Sequence, residues 1–160
     1  LKHVKNEIEV VVKSQIPIRA SVDCPSNVRI TMDHSNKENY YDNYTGGVTV
    51  LPRKYGGLCL PINESIAAGM PVITTDISPN NKWLPKDWLV KANHAGTLRS
   101  KKTVDFYEAD AVALAEKIDE FCDEQFYNKA VDECHEIANH ISWDALHPLY
   151  MVTFSQVLHS

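Results

Sequence analysis

At 160 residues, with 44% hydrophobic and 23% charged side chains, the chain has the length and make-up of one soluble globular domain with a sizeable core. A formal net charge of -5 argues against broad, nonspecific nucleic-acid binding, which needs a basic face to displace counterions, and no nucleic-acid partner is expected beyond what a local basic patch would allow. No apolar run is long enough to span a bilayer, and Cys24, Cys59, Cys122 and Cys134 make no C-x-x-C pair and no zinc spacing with histidine, so the reading is of free thiols in a reducing cytoplasm, with no metal site.

The opening LKHVKNEIEVVVK reads as the end of a helix running into a strand over residues 8–13, as expected of a piece of a longer protein. A polar stretch over residues 21–27 leads to a second strand, VRITMD, which ends at Asp33 beside His34. NKENYYDNYTG predicts a short helix stopped by Gly46 and Gly47. VTVLP (48–52) is a third strand. A helix over residues 61–68 follows, with Pro61 at its entry and Gly69 at its stop. PVITTD (71–76) is a fourth strand. NNKWLPKDWLVKA is ambiguous, with WLV a short strand candidate and with Trp83 and Trp88 read as core rather than as base-stacking residues. TVDFYEAD (103–110) reads as a strand ending at a helix cap, Asp110. Ala111, Leu114, Ala115, Ile118, Phe121 and Cys122 then recur at helical spacing. Residues 128–140 predict another helix, and Ser142 caps a last one that Pro148 starts or kinks.

Alternation of strands and helices implies a mostly parallel sheet with right-handed crossovers, in which ligands sit beyond the C-terminal strand ends. The loops after Asp33, Pro52 and Asp76 are therefore the ones to search. In PRKYGGLCLPINE, Gly56 and Gly57 let the backbone turn tightly or approach a ligand. The helix that follows presents free N–H groups and the positive end of its dipole, which suits a phosphate or a sugar hydroxyl. Arg53 and Lys54 add positive charge, and Glu64 lies about one turn in, where its carboxylate can accept from a sugar diol. The same residues also fit a plain turn followed by an acid that complements the dipole. Neither the P-loop nor the G-x-G-x-x-G pattern is present. Cys59 is read as a small helix-start residue rather than a nucleophile, because no histidine base is close in sequence.

The stretch VTVLPRKYGGLCLPINESIAAGMPVITTDISPN resembles the donor-binding core of GT-B glycosyltransferases, in particular the large retaining group called family 4. There a strand ending in Pro-Ser leads to E-G-F-G-L-P-x-x-E-A-M-A-x-G-x-P-V-I-x-x-D. Pro52, Gly57, Leu60, Pro61, Glu64, Ala67, Gly69, Pro71, Val72, Ile73 and Asp76 match in order and spacing. The likeness continues more weakly through VDFYEADAVALAEKID to SWDALHPLY, which resembles the family's closing helix. The resemblance implies that Glu64 binds the ribose hydroxyls of a nucleoside diphosphate sugar, UDP- or GDP-linked. It further implies that the amides of Gly57, Leu58 and Cys59 face the sugar and diphosphate. Two positions depart from the pattern: Gly56 stands where the family's first glutamate contacts the transferred sugar, and Cys59 stands where its second glycine does.

After the fourth strand, Asp76 is placed at the ligand crevice, and the resemblance puts its loop near the diphosphate and sugar, with Ser78, Asn80 and Asn81 as hydrogen-bond donors. A turn with Asn80 capping a helix is the equal alternative. The histidines other than His34 read as surface or internally satisfied residues.

The fold class expected is α/β, a Rossmann-like parallel sheet with helices on both faces, as in the GT-B C-terminal domain, lacking its first strand. Residues 1–141 are expected to form the donor-binding domain and residues 142–160 a closing helix. The resemblance implies that an N-terminal acceptor domain, and a basic pair that grips the diphosphate, lie outside these residues. The expected function is the donor-binding part of a glycosyltransferase that moves a sugar to an acceptor hydroxyl with retention, without a cofactor. It is expected in the cytoplasm, membrane-peripheral at most through the further domain. A noncatalytic nucleotide-sugar-binding module, or a GT-B epimerase or phosphorylase, are the alternatives. No residue is assigned to catalysis.

Overall fold

A computed structural model of the chain describes residues 2–14, 25–31, 40–99 and 102–158. Strand β1 (Val10–Lys13) pairs in parallel with β2 (Val28–Thr31), Val10 opposite Val28. A second parallel sheet has the order β3 (Thr49–Leu51), β4 (Val72–Thr75), β5 (Leu89–Val90). Helix α1 (Leu60–Ala67) is the crossover between β3 and β4. An antiparallel hairpin follows, β6 (Ala92–Arg99) with β7 (Thr103–Ala109). Three helices close the order: α2 (Ala111–Glu120), α3 (Glu124–Ile141) and α4 (Trp143–Leu158).

The core forms around β4, whose four residues are all buried, as a strand covered on both faces of a parallel sheet should be. Val72 and Ile73 pack with Ile62 and Ile66 of α1 and with Trp88, Val90, Phe121 and Cys134. Ile62 and Ile66 stand one turn apart on the face that α1 turns inward, and each contributes about 1.5–3 kcal/mol by leaving water. Ser65 shares that face. Its buried hydroxyl donates to the Pro61 carbonyl at 2.7 Å and lies 2.8 Å from the Thr49 hydroxyl, so it is not left unsatisfied.

Local chemistry sets the helix ends. Pro61 sits in the first turn of α1, where its missing N–H is not needed. Gly69 stops α1 with φ +70°, a conformation that costs glycine nothing. Gly69 N–H bonds to Ile66 and Met70 N–H to Ser65, the paired bonds of a Schellman ending. Asp110 accepts from the Val112 and Ala113 amides and Asp123 from the Phe126 amide. The two amides hold the Asp110 carboxyl below its ordinary range. Ser142 accepts from the Ala145 amide at 3.2 Å and so opens α4, which runs through Pro148.

Several expectations need correction. The described strands form three separate small sheets, not one Rossmann-like sheet. The pair β1–β2 is no more than half-buried, with Val11 and Ile30 exposed, so it lacks the cover that the inside of a doubly wound sheet would have. Residues 2–9 hold turns rather than a helix end. The helix expected around residues 36–46 is, where described, a 3₁₀ turn at Tyr40–Asn43. Strand β6 was not anticipated. The expectation for the loop after Asp33 and His34 lies outside the described residues. No helix among the described residues is long and apolar enough to cross a membrane.

Candidate functional site

The loops leaving the C-terminal ends of β3 and β4 meet, and β4 fastens the first of them. Thr74 donates its hydroxyl to the Leu51 carbonyl at 2.9 Å, and Thr75 donates to the Arg53 carbonyl at 2.8 Å. The Tyr107 amide of β7 then reaches the Lys54 carbonyl at 2.6 Å. Residues 51–54 are thus held by hydroxyls and an amide beyond the short ladder of β3.

From there the loop turns through Tyr55, Gly56 and Gly57. Gly56 lies against the β4 loop so closely that a Cβ on it would stand 1.8 Å from the Ser78 carbonyl oxygen. Only glycine permits that approach. The Arg53 guanidinium reaches across the turn and donates to the Gly57 carbonyl at 2.8 Å. None of the ion pairs among the described residues uses Arg53. Arg53, Lys54 and Tyr55 line a hollow of about 320 Å³. A larger hollow, about 460 Å³, is lined by Met151, Val152, Ser155 and Gln156 of α4 alone; with a single helix as its wall it is an uncovered helix surface rather than a cleft.

Leu58 is 79% exposed, and Cys59 precedes α1 in extended conformation with no side-chain cap. The backbone hydrogen bonds of the described residues leave the amides of Gly57, Leu58 and Cys59 without a partner. Unpaired amides at the positive end of a helix are suited to an anion. The Cys59 side chain is half-buried and free of any disulfide.

Glu64 is half-buried in the second turn of α1. Its Oε2 accepts from the Tyr40 hydroxyl at 2.8 Å and from the Tyr44 hydroxyl at 2.7 Å. The two rings meet edge to face, with centroids 6.1 Å apart. Burial, and then the bond to Glu64, push the Tyr44 phenol well above its ordinary value, so it remains a donor at any working pH. These tyrosines were not singled out in the sequence. Their pairing crosses 20 and more residues, and the only signal was an aromatic cluster in a segment rich in Asn and Asp.

Asp76 and Ser78 are exposed on the β4 loop, and the Asp76 amide bonds to the Val90 carbonyl. Asn80 differs from expectation. It is only 4% exposed, and its Nδ2 has no partner among the described residues. It starts a 3₁₀ turn (Asn80–Lys82) without capping it by its side chain. The loop therefore encloses Asn80 rather than offering it at the rim, and its side chain does not take the capping role. Asn81 is partly buried, and its Oδ1 has no partner among the described residues. Trp88 is fully buried, as a core residue, while Trp83 is 38% exposed. Among the described residues no group of three or more His, Cys, Asp or Glu is placed to hold a metal ion.

The site thus brings together Arg53, Lys54, Gly56, Gly57, Leu58, Cys59 and Glu64 on one loop and helix start, with Asp76 and Ser78 on the neighbouring loop. A scan against protein-family models finds no match, and neither curated proteins nor solved structures show significant similarity to the chain.

Proposed function

We propose that this chain is the donor-binding part of a glycosyltransferase of GT-B type, holding a UDP- or GDP-linked sugar for transfer to an acceptor hydroxyl. The observation that carries the reading is the position of Glu64. It is a half-buried carboxylate in the second turn of a helix, preceded by the amides of Gly57, Leu58 and Cys59, which have no backbone partner among the described residues, at the C-terminal end of a parallel strand. In this reading the carboxylate accepts from the ribose and the amides receive the diphosphate, with Arg53 and Lys54 adding positive charge at the rim. Charge that develops on the departing diphosphate is met by fixed dipoles and cations, which is how such a site lowers a barrier. Retention of configuration follows from the family resemblance alone. The acceptor, and the domain that binds it, are supplied from outside these residues.

Isothermal calorimetry with UDP, GDP, ADP and their sugars tests this. One nucleotide series is expected to bind, and Glu64→Ala is expected to lose ~10-fold or more, the worth of a charge-assisted hydrogen bond. Equal binding by both proteins removes Glu64 from the site.

A specific observation favours a second reading, a noncatalytic nucleotide-sugar-binding module. Gly56 occupies the position of the family's sugar-contacting glutamate, and its contact with the Ser78 carbonyl leaves no room for any side chain there. That reading predicts donor binding without turnover.

A further inference from the structure

Glu64 does not meet its ligand with both oxygens open. Its Oε2 already accepts from Tyr40 at 2.8 Å and from Tyr44 at 2.7 Å. A carboxylate oxygen has two lone-pair sites, so two phenol donors fill it. The hydrogen bonds of Glu64 among the described residues reach Oε2 and not Oε1. Vicinal hydroxyls on a ribose span both oxygens of an open carboxylate. They cannot do so here without displacing a phenol from a half-buried bond, at the cost of leaving that phenol unpaired.

Taking the donor-binding proposal as the premise, we infer that Tyr40 and Tyr44 are positioning residues that make Glu64 a one-oxygen acceptor, so that the site reads a single ribose hydroxyl of the nucleotide. Three features support this. Both phenols converge on the same oxygen from residues four apart, across a 3₁₀ turn whose rings pack edge to face. Glu64 and both tyrosines are half-buried, and so are the two bonds between them, so water does not readily replace either donor. Tyr44 stays protonated because burial and the bond to Glu64 both oppose its ionisation. The consequence is a recognition pattern: one hydroxyl is held by a charged acceptor at Oε1 and its neighbour is not.

The test is calorimetry of the chain with UDP, GDP and ADP, and with the 2'-deoxy and 3'-deoxy form of each. For the nucleotide that binds, one deoxy form is expected to weaken ~10-fold and the other to stay within ~2-fold, since a hydrogen bond to a charged group outweighs a solvent-exposed neutral one. In the Tyr40→Phe/Tyr44→Phe double variant Oε2 opens, so both deoxy forms are expected to bind ~10-fold more weakly than the parent nucleotide. A purely structural role for the tyrosines would not change which hydroxyl matters. Equal weakening by both deoxy forms on the unmodified chain overturns the inference and leaves the donor site standing. So does a double variant, shown folded by its thermal transition, that keeps the single-hydroxyl pattern. Absence of binding by all three parent nucleotides overturns the donor site itself and this inference with it. The comparison on the unmodified chain needs no variant to fold.

Discussion

Replacing Gly56 by alanine probes the contact on which the shape of the site depends. In the structure the new Cβ falls 1.8 Å from the Ser78 carbonyl oxygen and 3.0 Å from its carbon. The obstacle is backbone, not the end of a flexible side chain, so it cannot swing aside. The loops after β3 and β4 must part by roughly 1 Å or more, and overpacking of that kind costs about 1–3 kcal/mol. Because Gly56, Ser78 and Pro79 are exposed, the low end applies: ~1 kcal/mol, or a fall of about 2–4 °C in Tm for a chain of this length. The parting also moves the Gly57 and Leu58 amides relative to α1, so nucleotide affinity should fall together with Tm. Thermal unfolding followed by circular dichroism, paired with calorimetry, reads both quantities. A Gly56→Ala chain with native Tm and native affinity would refute the contact, and with it the argument that no side chain fits at that position.

Two further predictions concern the scaffold. Ile66→Ala removes a fully buried side chain between α1 and β4 and is expected to cost about 2–5 kcal/mol in urea-induced unfolding; a cost below that range would mean that α1 does not pack on β4 as described. Burial pushes the Cys134 thiol from its ordinary 9.0 up to about 12. The folded chain therefore keeps a proton that the unfolded chain releases, so stability contributed by this group is complete below pH 9 and declines as pH rises toward 12. Cys134→Ala should be less stable than the parent near neutrality but should lose less between pH 9 and 11, measured as the difference in unfolding midpoints.

The parts of the fold that the sequence announces are those with a local cause. Pro61 and Gly69 bracket α1, Asp110 caps α2 and Ser142 opens α4, each by a hydrogen bond or torsion that a residue makes with its near neighbours. Strand β4 was legible because VITT is β-branched throughout and lies between a proline and an acid. Strand β6 was not, because ANHAGTLR has only Thr97 as a β-branched residue and owes its pairing to β7, a contact no local pattern records. The division into separate sheets was illegible for the same reason: strand order is a long-range property. At the site, the strand–loop–helix that carries Arg53 to Glu64 could be read directly, since loops at the C-terminal ends of parallel strands are where polar groups gather. The burial of Asn80 and the tyrosine pair on Glu64 could not, because each depends on what packs from elsewhere in the chain.

The threonines of β4 explain how so small a sheet can carry a site. β3 has three residues and β5 two, so the ladder by itself holds little of the adjoining loop. Valine at 74 and 75 would pack as well as threonine, but it would leave the Leu51 and Arg53 carbonyls without these donors. With threonine, the ties extend past the strand to Arg53, and the Tyr107 amide adds Lys54. The Arg53 guanidinium then crosses to the Gly57 carbonyl, and α1 begins at Leu60. What remains untied between these points is the short stretch whose amides have no backbone partner among the described residues. An anion seated there would order only that stretch, so the entropy lost on binding is confined to a few residues, while the carboxylate of Glu64 waits on a helix already fixed by Ile62 and Ile66.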